Sequence, residues 1–342
     1  MRPDRQCGAT FSRGPLPPSS WNMPLVITSQ PPGPRFSIGA DASMPIITVT
    51  AELQGISIPP GATPTYEWSA TLTFNGGVPP TKTFFGGGRS TEHPVMRAPA
   101  GHANTWRIPF SHVRGGVLTV HVIARVGGAT HEATLGSLLI AGTNPTPTAI
   151  RAFADSIGAT KVRFRKQLRQ ESSLQQFRPP ELWPKYSSDR LGGVGLAQIT
   201  RPAPTADQVW NWKENIRAGW ALYKEKERNA RAYPAAVRRS DEFRHLVNAY
   251  NQARARQGLP PVQVTLPDFT EDQLELDTIR GFNGYANKLH EYRVRTEAGK
   301  LFVTLGPDGK QGSAEWERVP TAERGSKGDP AYVEHVEAAQ DF

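Results

Sequence analysis

Three short segments in the second half of this 342-residue chain hold residue types suited to acid–base chemistry. The first is Gln170-Glu171-Ser172-Ser173, at the expected C-terminal end of an amphipathic helix. The second, Gly195-Leu196-Ala197-Gln198-Ile199, begins 24 residues after Glu171 and is preceded by Ser188 and Gly193. The third is Glu214-Asn215-Ile216-Arg217-Ala218-Gly219-Trp220-Ala221-Leu222-Tyr223. A carboxylic acid held protonated can deliver its proton to a poor leaving group. At a helix C-terminus it meets the negative pole of the macrodipole, which favours that protonated form. Desolvation by the nearby aromatics Phe177, Trp183 and Tyr186 would act in the same direction. Glycines at 192, 193 and 195 allow close approach of the backbone to a ligand. Gln198 and Asn215 supply amides that can bond to a ligand or brace Glu171.

In order and spacing these segments resemble the lytic transglycosylase and goose-type lysozyme group, glycoside hydrolase family 23. Two later segments extend the likeness. Arg280-Gly281-Phe282-Asn283-Gly284 is similar to the family's Tyr-Asn-x-Gly segment, and Tyr332-Val333-x-x-Val336 to its closing Tyr-Val-x-x-Val helix. Tyr250-Asn251 competes for the Tyr-Asn position, but no glycine follows it closely. The likeness covers essentially the whole of residues 148–342 and says nothing about the residues before them.

The resemblance implies an α-helical lysozyme-like domain that cleaves the β-1,4 bond between N-acetylmuramic acid and N-acetylglucosamine in peptidoglycan glycan strands. Glu171 would be its catalytic acid. Ser172, Ser188, Gly195, Leu196, Gln198, Asn215, Phe282, Asn283 and Tyr332 would line or brace the substrate site. In lytic members one glutamate protonates the glycosidic oxygen and then helps the muramyl C6 hydroxyl attack C1, leaving a 1,6-anhydro end. No metal, cofactor or second carboxylate is implied. Hydrolytic goose-type members add carboxylates that position a water; Glu181 and Asp189 stand between the first two motifs but match no hydrolytic spacing. The lytic product is the expectation, with a hydrolytic muramidase as the alternative.

One departure from the family pattern bears on rate. Phe282 stands where tyrosine is usual, and losing one donor to developing charge costs ~3 kcal/mol in comparable sites. Activity is then weakened or supported from elsewhere, and a decayed wall-binding or assembly protein is a further alternative. Ala197 replaces a commoner methionine, a milder change in cleft packing.

The elements that must position these residues fall into two halves. Residues 1–150 hold 10 Lys/Arg and 6 Asp/Glu, whereas residues 151–342 hold 30 and 25. In the first half apolar residues alternate with polar ones: Ile47, Val49, Ala51, Leu53; Tyr66, Trp68, Ala70, Leu72, Phe74; Leu118, Val120, Val122, Ala124, Val126. That period of two marks half-buried antiparallel strands. Turns are marked by Pro59-Pro60-Gly61, Gly76-Gly77, Gly86-Gly87-Gly88 and Gly127-Gly128. The expectation is an immunoglobulin-like β-sandwich over residues 25–143 after a flexible tail at 1–24, serving attachment or wall docking. Residues 142–147 read as a short stiff linker.

Beyond them the period becomes helical: a helix capped by Thr148, one from about Thr160 to Gln170, a long one over Glu214–Tyr233, and one over Asp241–Arg256. Thr270 with Gln273 forms a capping-box signature before another helix. Residues 299–319 predict a small hairpin about Pro307-Asp308-Gly309. The fold class is thus multi-domain α+β.

Composition bounds the remaining classes. The net charge is +9, yet basic residues are interleaved with acids and carry no nucleic-acid motif, so no nucleic-acid partner is expected. A basic surface also suits an anionic polymer substrate. No apolar run reaches the roughly 18 residues of a membrane span. Cys7 is the only cysteine, so neither an internal disulfide nor a thiolate zinc site is expected. His131-Glu132 and His290-Glu291 lack the His-Glu-x-x-His pattern, and no metal is assigned. Trp210, Trp212 and Trp220 could stack on sugars, although helix-spaced aromatics more often form core. Residues 1–21 carry charge without an apolar core segment, so no secretory signal is read. The expected route is synthesis in the bacterial cytoplasm and delivery to the periplasm or cell wall by a phage particle or secretion apparatus such as type VI.

Overall fold

The computed structural model describes residues 25–76, 90–187, 192–283, 289–325 and 328–342. The expected tail at 1–24, the glycines at 77 and 86–88, Ser188, Asp189 and Gly284 lie outside them. The chain is mixed α+β, with the longer strands in its first half and seven α-helices and several short strands in the described residues of its second.

The first half contributes β1 (Leu25–Gln30), β2 (Arg35–Ser37), β3 (Thr48–Leu53), β4 (Thr65–Phe74), β5 (Thr91–Glu92), β6 (Met96–Gly101), β7 (Thr105–Arg107), β8 (Gly116–Val126) and β9 (Ala129–Ala141). They form a three-stranded sheet ordered β1-β3-β7 and a larger sheet ordered β2-β9-β8-β4-β5, with β6 also paired to β4. The alternating residues behave as their spacing predicts. Trp68 lies opposite Val122, Ala70 opposite Val120 and Leu72 opposite Leu118, and all six are buried. Val49, Ala51 and Trp106 of the smaller sheet join them in one core. Gly127 and Gly128 both take positive φ, 56° and 85°, at the tight β8–β9 turn, a conformation glycine adopts without steric cost.

The second half opens with α1 (Pro147–Ser156) and α2 (Val162–Ser172). Thr146, not Thr148, caps α1: its hydroxyl accepts from Ala149 N at 3.1 Å, and Pro147 supplies the pre-set φ of a first helical residue. A ribbon of β10 (Phe177–Arg178) and β11 (Trp183–Pro184) follows, then α3 (Ala206–Trp210), α4 (Trp212–Arg238), α5 (Asp241–Ala255) and α6 (Glu271–Phe282). Both bonds of the Thr270–Gln273 capping box are made. Short strands β12 (Gln263–Thr265), β13 (Tyr292–Val294), β14 (Thr296–Glu297), β15 (Lys300–Leu301), β16 (Val303–Leu305), β17 (Gln311–Ala314) and β18 (Trp316–Arg318) surround α6 in sequence, and α7 (Tyr332–Ala338) closes the chain. β16 and β17 form the hairpin expected about Pro307-Asp308-Gly309. Ile150, Phe164, Leu168, Leu196, Ile216, Tyr223, Ile279, Val333 and Val336 bury a core shared by α1, α2, α4, α6 and α7.

Residues 142–147 do not run free between the halves. Gly142 N donates to Leu182 O at 2.9 Å, and the Asn144 amide bonds both ways with the Phe177 backbone at 2.8 Å. A Cβ at Gly142 would stand 2.3 Å from the Phe177 ring. Phe177, Val194, Val209 and Trp210 are built into the core of the β half itself.

Candidate active site

Glu171 is the penultimate residue of α2, half-buried, and the helix ends where Ser173 turns left-handed at φ 54°. The Tyr332 hydroxyl, from the first turn of α7, donates to Glu171 Oε1. Burial first, and the adjacent Glu171 charge second, push the Tyr332 phenol well above its ordinary value of 10.0. It therefore keeps its proton at any working pH and serves as a permanent donor.

The position of Tyr332 is fixed from α6. Asn283, the C-cap of α6, donates to Asp329 O at 2.5 Å and accepts from Asp329 N at 3.2 Å. Arg280, buried on the same helix, donates to Asp329 O at 3.0 Å. Gly328 makes that clamp sterically feasible. Its φ is 84°, and a Cβ there would come within 2.8 Å of the Asn283 amide. The Phe282-Asn283 segment thus reaches Glu171 indirectly, through Asp329 and then Tyr332. Phe282 itself is half-buried at the end of α6.

The Gly195 turn and the α4 helix are tied together by buried amides. Asn215 is fully buried; its Oδ1 accepts from Ala197 N at 2.8 Å and its Nδ2 donates to Val194 O at 2.9 Å and Gln208 O at 3.1 Å. Gln176, also buried, accepts from Leu196 N at 3.1 Å and donates to Val209 O at 2.8 Å. Gly195, at φ 74°, is compelled by these two amides, because a Cβ there would sit 2.4 Å from Gln176 Oε1 and 2.6 Å from Asn215 Nδ2. Gly219 plays the same part on α4, where a Cβ would stand 2.5 Å from the Ala197 methyl. The motif glycines and amides therefore weld two segments into one scaffold.

This geometry corrects several sequence expectations. Asn215, Leu196, Gly195 and Ser172 are buried, and Ser172 Oγ donates to Leu168 O within its own helix at 3.0 Å. With their side chains buried, they act as internal braces rather than as side-chain contacts for a ligand. Asn283 is likewise buried and engaged. Gln198, half-buried at φ 46°, turns its amide back to Gly195 O at 2.7 Å. Phe177, Trp183 and Tyr186 pack with the β-half core, and an aromatic from α7, Tyr332, meets Glu171. Trp210 and Trp212 are buried, and Trp220 stacks on Tyr223 with centroids 5.3 Å apart. None of the three reads as a sugar platform. Asn251 exchanges two bonds with Val262 in the α5 region, so the rival Tyr250-Asn251 pair serves a loop there.

Two contributors carry no sequence signal of their own. Lys185 Nζ donates to Ser172 O at 2.5 Å and Gln175 Oε1 at 3.3 Å, placing a cation on the carbonyl end of α2. Desolvation, aided by Arg178, lowers the Lys185 ammonium from its ordinary value. The helix end beside Glu171 thus faces a cation, which offsets the bare negative pole expected there. Asp341 forms a forked pair with Arg165 of α2 at 2.8 and 2.7 Å and receives Arg151 of α1 at 3.0 Å. Both partners lie more than 170 residues away in sequence, so spacing could not join them.

His290 and Glu291 belong to a structural cluster. Asp277 accepts from Glu291 N at 2.6 Å and pairs with His290 Nδ1 at 3.0 Å, while Glu291 receives Arg318 and Arg324. Among the described residues no group of three or more His, Cys, Asp or Glu is placed to hold a metal ion. No described helix is long and apolar enough to cross a membrane. Comparison with protein-family models, curated proteins and solved structures finds no match to this chain.

Proposed function

We propose that this protein cleaves peptidoglycan glycan strands at the bond between N-acetylmuramic acid and N-acetylglucosamine, with Glu171 as the catalytic acid. The observation that carries the reading is the Tyr332–Glu171 contact. It joins the first and last of five ordered motifs, while the fourth holds Asp329 beside Tyr332 and the second and third are tied to each other. An otherwise ordinary helix-end glutamate would not need such support.

In this reading the second half is a lysozyme-like domain. Glu171 protonates the glycosidic oxygen, and the resulting carboxylate accepts the proton of the muramyl C6 hydroxyl as that oxygen closes on C1. The Tyr332 hydroxyl orients the carboxyl and steadies its ionised form between the two steps. The cycle needs one carboxylate, which favours the 1,6-anhydro product over a reducing end. The first half is taken as an immunoglobulin-like sandwich that attaches the enzyme to a phage particle or secretion apparatus, and the +9 charge suits an anionic wall.

Digestion of purified sacculi with mass spectrometry of the soluble muropeptides tests this directly. Anhydro-muropeptides from the wild type and none from Glu171→Gln are expected. Reducing ends would replace the lytic route with a hydrolytic one. Equal solubilisation by both proteins, or none by the wild type, would remove the enzymatic reading.

A further inference from the structure

The acid–hydroxyl pair has a third neighbour. Gln167 lies one helical turn before Glu171 on α2, so both side chains project from the same face of the helix. Its side chain is 1% exposed, an unusual place for an amide. Neither its nitrogen nor its oxygen meets a partner at full hydrogen-bond geometry. α7 packs against α2 and sets the Tyr332 hydroxyl on Glu171, one turn along the same helix, and Gln167 acts on that phenol in the opposite sense to Glu171, lowering its value where the carboxylate raises it. A buried amide left unpaired is costly, so a position filled this way needs a reason that an apolar residue would not satisfy.

We propose that Gln167 is a positioning residue, forming a relay in which its amide N–H donates to Tyr332 Oη while the Tyr332 hydroxyl donates to Glu171 Oε1. The amide has two roles in that chain. It fixes the phenol rotor, because an oxygen already accepting from Gln167 directs its own proton to the carboxylate. It also polarises the O–H bond, since successive hydrogen bonds strengthen one another. Asp329, from the turn before α7, also acts on the phenol, and Lys185 lies on the carbonyl end of α2. The catalytic consequence rests on the proposed activity; the relay itself does not.

The test is a double-mutant cycle read by the titration of the Glu171 carboxyl, followed by carbon NMR in full-length protein labelled at glutamate. Gln167→Leu, close in volume, should move the midpoint upward by about 0.5 unit, because a weaker donor stabilises the carboxylate less. Tyr332→Phe should move it further. Adding Gln167→Leu to Tyr332→Phe should move it no more, since the relay has then lost its middle member. Gln167→Glu should disturb it more than Gln167→Leu, as a second carboxylate competes for the one hydroxyl proton. On sacculi, Gln167→Leu should lower kcat about fivefold with KM unchanged. An unshifted midpoint in Gln167→Leu, or the same shift in both backgrounds, would overturn the relay. Circular dichroism and melting on each variant identify a folding defect, and Gln167→Met then replaces any leucine variant that fails to fold. If the wild type leaves sacculi intact, the enzymatic reading falls, while the titration still decides whether the relay exists.

Discussion

At the residue scale, the sequence marks Glu171 only through its neighbours, and the structure assigns it a donor. General acid catalysis contributes roughly 100- to 10,000-fold, so Glu171→Gln should lower sacculus solubilisation by at least about 100-fold while melting normally. Tyr332→Phe removes one bond to a charged group, about 1.5–3 kcal/mol, and should slow turnover about 10- to 100-fold. Were Tyr332→Phe as fast as the wild type, the hydroxyl would have no part in turnover. The motifs name both residues, but spacing alone could not show that they touch. Gln167 was less visible still, because a glutamine on a helix predicts solvent exposure until the packing of α7 is known.

At the scale of elements, the motif glycines and amides prove to be joints. Asn215 closes three hydrogen bonds in a fully buried setting, so Asn215→Ala strands several polar groups and should cost about 3 kcal/mol, measurable by denaturant unfolding. A ligand-binding role predicts the opposite, a loss of affinity at unchanged stability. The first turn of α2 carries a second joint, from Asp341. Its pairing with Arg165 holds the carboxyl down at about 2, below its ordinary 3.8. A depressed folded value contributes stability that is present above the unfolded value and lost as pH falls. Wild type should therefore lose about 1 kcal/mol relative to Asp341→Asn between about pH 4 and pH 2, with screening of this partly exposed pair included. Melting curves of the two proteins across that window should converge.

At the scale of the whole molecule, the two halves share a core centred on Trp210. Its Nε1 donates to Thr91 Oγ1 at 2.8 Å, and Phe74 of β4 meets it edge-on with centroids 5.1 Å apart. Gly115 leaves room for the ring, since a Cβ there would lie 2.2 Å from it. Arg114 reaches Asp207 at 2.5 Å, Trp212 Nε1 donates to Ala40 O at 3.0 Å, and Arg35 donates to Glu181 O at 2.7 Å. Such a junction should make unfolding a single transition. Trp210→Ala removes a large buried ring and should cost about 3–5 kcal/mol, splitting the calorimetric transition in two. A wild type that already melts in two separate steps would contradict that coupling.

The sequence by itself determined what repeats locally: the strand faces of the first half, the helices of the second, the Thr270 capping box, and an ordered set of motifs around one acid. Those features depend on neighbours a few residues apart, which periodicity records. Only the tertiary structure decided the long-range matters. It put Tyr332 on Glu171 and Lys185 on the end of α2, turned Asn215 and Gly195 from ligand candidates into scaffold, and made residues 142–147 a packed seam. The physical reason is common to all of them. A polar side chain's role is set by whether it is buried and by what faces it, and both are supplied by segments remote in the chain.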